Sequence, residues 1–160
     1  LLLAREERDD DDPICNIAEV VRDILADCAP SLAGRPVELR PHFQSHPVLP
    51  VERPLAYVVI SNLIRNACAH TREGHIEVRL EEGGMQIVDT GIGIAENRFP
   101  ELFRRHAKGE ESTGNGLGLS IVARVTDLIG WSVDIQSQSG VGTQVRISFK
   151  APASGKAVVS

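Results

Sequence analysis

Asn62 and Asn66 stand four residues apart in the apolar run around Leu63, Ile64 and Ala67. On a helix that spacing puts both amides on one face, where their oxygens could meet a cation or a phosphate. Asparagine is a middling helix former, so two at this spacing call for a reason. Taken alone, the pair is more simply read as solvated or capping amides.

Asp89 follows the apolar run Met85 to Val88 and precedes Thr90-Gly91-Ile92-Gly93-Ile94. A carboxylate at a strand end is costly to bury unless donors reach it, and glycines beside it let a flat ligand approach the backbone. An adenine amino group is one such donor. Asp-Thr-Gly is also the loop of aspartic proteases, but their chemistry needs two carboxylates from two such loops, and this chain has one.

A third cluster, Gly114-Asn115-Gly116-Leu117-Gly118-Leu119, opens a helical run. Bare backbone N–H groups at a helix start, together with the dipole, favour a polyphosphate. The spacing is not the GxGxxG dinucleotide fingerprint. Between the second and third clusters, Phe99 to Arg105 and then Lys108 supply cations on a stretch that reads as a mobile segment near the phosphates, or as an ordinary solvated loop.

The elements that must position these groups follow from periodicity. Asn16 and Glu19 have capping-box spacing ahead of a stripe of Ile17, Val20, Val21, Ile24, Leu25 and Cys28, a helix that should stop near Pro30. A strand is expected over 37–40, an extended connection from Pro41 to Pro54, and a second helix from about Pro54 to His70. Alternation over 75–80 and 85–89 predicts a hairpin ending at Asp89, and alternation about Ser139 to Gly142 predicts a closing hairpin. Leu117 to Ile129 reads as a helix ended by Gly130. The resulting class is α+β, a two-layer sandwich with helices on one face of a mostly antiparallel sheet.

Residues 1–12 are expected to be the end of a preceding helix and linker, broken by the Asp9 to Asp12 run and Pro13. Residues 13–150 form the domain, and 151–160 a disordered tail. A net charge of −5 speaks against nucleic acid or an anionic membrane as a partner through overall field, so phosphate binding must be local. Cys15, Cys28 and Cys68 lack CxxC spacing and read as free thiols of a reducing cytosol. No run reaches the roughly 18 to 20 apolar residues of a membrane span.

These clusters, in this order over roughly residues 14–149, resemble the nucleotide-binding boxes of bacterial sensor histidine kinases, of the GHKL group with gyrase, Hsp90 and MutL. Asn62 to Thr71 resembles the N box, Asp89 to Ile94 the G1 box, Phe99 to Arg105 the F box, Gly114 to Leu119 the G2 box, and Ser139 to Thr143 the final glycine turn. The resemblance implies the left-handed-crossover (Bergerat) ATP-binding sandwich with a mobile lid. It implies ATP and Mg²⁺ as ligands, Asn66 holding Mg²⁺, Asn62 supporting metal and phosphates, and Asp89 reading the adenine amino group. It also implies contacts from His70, Gly91, Gly93, Ile94, Lys108, Gly114, Gly116, Leu117, Gly118, Leu119 and Thr143, with Arg105 at the γ-phosphate.

The ATPases of the group resemble one another in a water-activating Glu four residues before the metal-binding Asn. Here that residue is Asn62, and an amide is no general base, so transfer to an imidazole is the expected chemistry. Ala69 stands where the N box usually has a cation and His106 where the F box often has a second Phe, the basis of an alternative reading as a weakly active nucleotide-binding module. None of His42, His46, His70, His75 and His106 has a phosphoacceptor's helical context, nor do they cluster as a zinc site. The acceptor is expected on a dimerisation domain before this segment, with a response regulator reached through it. The isolated domain is expected to be monomeric and cytoplasmic, and the parent to be either soluble or anchored in the inner membrane.

Overall fold

The first helix, α1 (Ile17–Cys28), starts where Asn16 caps it, its Oδ1 accepting the Ala18 N–H at 3.1 Å. That is one residue nearer than the capping-box partner the spacing predicted. Ile17, Val20, Val21, Ile24 and Cys28 are buried as the stripe required, and Ala18 joins them. Pro30 sits within a single 3₁₀ turn, Ala29–Leu32, which ends the helix run. The computed structural model describes residues 12–93 and 116–150.

α2 (Arg53–His70) begins with proline in its first turn and α3 (Gly116–Ile129) ends at Gly130, whose φ of +74° suits glycine. α2 packs against both α1 and α3. Asp23 pairs with Arg53, and the Tyr57 hydroxyl donates to Asp27 at 2.9 Å, stitching the exposed flank of α1 to α2.

Among the described residues seven strands follow in chain order: β1 (Cys15–Asn16), β2 (Val37–Phe43), β3 (Val48–Leu49), β4 (Gly74–Leu80), β5 (Gly84–Asp89), β6 (Ser132–Gln138) and β7 (Gly142–Ser148). Five form a mixed sheet in the order β2-β4-β5-β7-β6, with β2 parallel to β4 and every other pair antiparallel. The parallel pair is joined through α2, as parallel neighbours need a crossover. β2 runs three residues past the expected 37–40, through Pro41, which an edge strand tolerates because one flank needs no donor. β1 and β3 form a separate two-stranded ribbon that the sequence did not announce.

Alternation along the strands sets the layers. Ile76, Val78, Leu80, Met85, Ile87, Ile135, Val145 and Ile147 are buried in one core with the helices, while Glu77, Arg79 and Gln86 line the other face. This is the α+β sandwich the pattern implied. Among the described residues no helix is long and apolar enough to cross a membrane.

Candidate nucleotide-binding site

Inward-facing side chains at one end of the sheet change character. Ile76, Asp89, Thr143 and Ser137 lie in register across β4, β5, β7 and β6, so an apolar row finishes in three polar groups. Asp89 is 6% exposed. Its Oδ1 accepts the Gly91 N–H at 2.9 Å, and the carboxylate also accepts the Thr143 N–H. Burial pushes its pKa above the ordinary 3.8, while those two N–H groups and the nearby His70 pull the other way.

Glycine is required where the loop after Asp89 meets its neighbours. A Cβ on Gly91 would stand 2.4 Å from the His70 carbonyl oxygen, and one on Gly142, at φ +143°, would stand 2.1 Å from the Asp89 carbonyl oxygen. The Ile92 N–H donates to the His70 carbonyl at 3.1 Å, and the Gly140 N–H to the Ile92 carbonyl at 2.7 Å. The end of α2, the Asp89 loop and the β6–β7 turn are thus tied into one frame.

Asn62 and Asn66 are both half-buried on α2. The Asn62 Nδ2 donates to the Val58 carbonyl at 2.6 Å, one turn back along the helix. Its Oδ1 lies 3.0 Å from where a Cβ on Gly118 would stand, so any larger residue there would press on this amide. Neutral amide oxygens are hard donors of the kind magnesium accepts alongside phosphate oxygens. Among the described residues no group of three or more His, Cys, Asp or Glu side chains could hold a metal.

The residues named from sequence therefore divide. Asp89, Gly91, His70 and Thr143 meet at the sheet end, and Asn62 meets Gly118 between α2 and α3. Asn66 lies on α2 one turn beyond Asn62, Gly93 lies in the loop after Asp89 with φ +69°, and Gly116 opens α3. Leu119 is 3% exposed and belongs to the core. Ile94, Phe99 to Arg105 with Arg105 itself, His106, Lys108, Gly114 and the Leu117 side chain lie outside the described residues.

Ser137 was missed. Its Oγ lies 2.7 Å from Thr143 Oγ1 and donates to the Gly142 carbonyl at 3.0 Å. Counting outward from the Ser139 to Gly142 turn pairs 137 with 143, a signal the sequence did carry. An open cleft of about 780 Å³ borders this strand end, walled by Val88, Gln136 and Gln144 of the opposite sheet face as well as by Asp89, Ser137 and Thr143.

Residues 51–153 match the family described as histidine kinase-, DNA gyrase B-, and HSP90-like ATPase. The autoinducer 2 sensor kinase/phosphatase LuxQ of Vibrio cholerae is 34% identical over 104 residues, covering 57% of this chain and 12% of that protein. The sensor histidine kinase GacS of Pseudomonas protegens is 31% identical over 153 residues, 86% of this chain and 17% of that protein. The chain thus spans less than a fifth of either relative. Among solved structures, the mycobacterial sensor histidine kinase MprB superposes with a TM-score of 0.68 at 21% identity, covering 84% of this chain and 93% of the other. Full-length ShkA in complex with AMPPNP gives 0.71 at 21% identity, over 88% of this chain and 32% of the other. These two likenesses show the fold.

Proposed function

The chain belongs to the family of histidine kinase-, DNA gyrase B- and HSP90-like ATPases, and from that premise we propose that it binds Mg-ATP and transfers the γ-phosphoryl group to a histidine of a partner helix. Asp89 accepts from the adenine amino group, Thr143 and His70 flank the base, and the start of α3 from Gly116 to Gly118 takes the phosphates on its N–H groups. Asn66 would hold Mg²⁺, with Asn62 supporting the metal and the phosphates. Arg105 and Lys108 bring positive charge to the γ-phosphate, with Gly114, Ile94, Leu117 and Leu119 completing the enclosure.

The observation that carries this reading is the Asn62 amide, held by the Val58 carbonyl and aimed at Gly118. Protonation of an amide at neutral pH is negligible, so Asn62 cannot draw a proton from water, and hydrolysis lacks its base. An incoming imidazole needs no such base. Its nitrogen forms the N–P bond as the β–γ P–O bond breaks and ADP leaves, and the chain contributes positioning and charge neutralisation.

The partners that follow are a dimerisation and phosphoacceptor domain of the same protein and, through it, a response regulator. A second reading, a nucleotide-binding module with little transfer, is favoured by Ala69, an exposed alanine where a phosphate-binding cation would stand.

Calorimetric titration with ATP and a non-hydrolysable analogue, with and without Mg²⁺, tests the first half of the reading. Binding that needs Mg²⁺ and weakens in Asn66→Asp and Asp89→Asn is expected. Radiolabel transfer from γ-labelled ATP, with the full-length protein carrying its own acceptor helix, tests the second half. Binding without transfer would establish the second reading, and no binding at millimolar ATP would defeat both.

A further inference from the structure

Thr90 stands one step beyond the last paired residue of β5, opposite His75. An antiparallel pair in that position ordinarily exchanges two backbone bonds. One of them is made, the Thr90 N–H donating to the His75 carbonyl at 3.2 Å. The other is replaced: the His75 N–H donates at 3.0 Å to the Thr90 hydroxyl oxygen. A backbone N–H can only donate, so this bond has one direction. The hydroxyl's own proton has the Glu73 and His75 carbonyls as acceptors, each at 3.4 Å. A side chain thus ends the ladder, and the Thr90 carbonyl is released from it.

The chain leaves the sheet at this point. The next N–H, of Gly91, donates to the Asp89 carboxylate at 2.9 Å, and the Ile92 N–H reaches the His70 carbonyl. Room for the hydroxyl is made from the facing strand, where Gly74 has φ +107° and a Cβ would stand 2.0 Å from Thr90 Oγ1.

We propose that Thr90 is a positioning residue for Asp89: by closing the β4–β5 ladder with its hydroxyl, it turns the 90–91 peptide so that the Gly91 N–H meets the carboxylate. Its consequence for adenine affinity rests on the ATP-binding reading above, while the positioning belongs to the chain without nucleotide. When the hydroxyl is lost, the His75 N–H takes the Thr90 carbonyl, the ladder runs one bond further, and the Gly91 N–H is drawn off Asp89. The ties from Ile92 to His70 and from Gly140 to Ile92 lie beyond this point, so the loop as a whole stays in place.

The test is Thr90→Val, which keeps the branched shape and removes the acceptor, beside Thr90→Ser, which keeps the acceptor. Carbon-13 NMR of the side-chain carboxylates follows the Asp89 titration without nucleotide, and a thermal melt verifies folding. The Gly91 N–H favours the ionised carboxylate. Its loss should move the Asp89 midpoint up by about half a unit to one unit in Thr90→Val, with Thr90→Ser close to the parent. His70 and Cys68 of α2 also face Asp89, and His75 of β4 and Glu38 of β2 stand beside Thr90, but all four are the same in every chain compared. Calorimetry should find Mg-ATP and adenosine both weakened about threefold to tenfold in Thr90→Val, because only the base end is disturbed. A merely structural hydroxyl would lower the melting temperature and leave the Asp89 midpoint where it was, which would overturn the proposal, as would a Thr90→Ser chain that behaves like Thr90→Val. A raised midpoint in a chain that binds no ATP would uphold the positioning and remove the nucleotide reading instead.

Discussion

The two ends of the central strands are built to opposite rules. At one end the inward row is Leu80, Met85, Ile147 and Val133, paired in register across β4, β5, β7 and β6. At the other, on the same strands and the same face, it is Ile76, Asp89, Thr143 and Ser137. Leu80, Met85 and Ile147 are at most 1% exposed and packed on the helices, so removing their surface from water stabilises the fold. Asp89 is nearly as hidden, but burial disfavours its charge, and backbone N–H groups from Gly91 and Thr143 only offset that. The apolar end holds the sheet together, while the polar end keeps a carboxylate, two hydroxyls and a cleft in place at some cost to stability.

The largest expected effect is therefore at the apolar end. Ile147→Ala removes a fully buried side chain and should lower unfolding free energy by about 2 to 5 kcal/mol in urea melts. Nucleotide affinity, measured well below the melting temperature, should hardly change. If Ile147→Ala instead weakened ATP binding with little loss of stability, the division between the two ends would be wrong.

Asp89→Asn should reverse that pattern. Replacing a charged acceptor by an amide whose NH₂ can face the adenine amino group should weaken Mg-ATP by about 10- to 150-fold, with stability held or raised. The pH dependence sharpens the contrast, and its sign follows from the raised pKa of Asp89. A folded pKa above the ordinary 3.8 means the folded chain without nucleotide holds this proton more tightly than the unfolded one. The stabilisation from that proton is present at low pH and is lost as pH rises through the folded pKa. Adenine prefers the ionised form, so ATP affinity should fall as pH drops through the same range, by up to about tenfold per unit. Titrations across the carboxylate range should show both trends in the parent and neither in Asp89→Asn.

How much of this was legible beforehand depends on the signal each element carries. The α1 stripe, both hairpins and Asp89 at a strand end follow from period and turn chemistry, which act locally. The β1–β3 ribbon is two residues a side, too short for any period to register, and its Val48 stands exposed where a strand face would be expected to hide it. β2 was cut short because Pro41 reads as a breaker, whereas its edge position removes the penalty. Asn62 and Asp89 were found by type and spacing. Ser137 was not, although counting outward from the predicted turn sets it against Thr143, because a lone serine beside a turn has no type or spacing that marks it.

Gly118→Ala gives the smallest effect and the finest test of the functional end. Within a helix, alanine is favoured over glycine by about 1 kcal/mol, so propensity alone would make this variant more stable. The new Cβ would, however, stand 3.0 Å from the Asn62 Oδ1, tighter than ordinary contact. Asn62 has little freedom to yield, because its Nδ2 is fastened to the Val58 carbonyl at 2.6 Å. The amide must tilt by a few tenths of an ångström, moving the oxygen we propose to support the metal and phosphates while leaving the backbone N–H groups of α3 in place. The expected result is an unchanged or slightly higher melting temperature together with a severalfold loss of Mg-ATP affinity, and little change for adenosine, which carries no phosphate. Equal losses for adenosine and Mg-ATP would locate the damage at the Asp89 end and separate Asn62 from the phosphates.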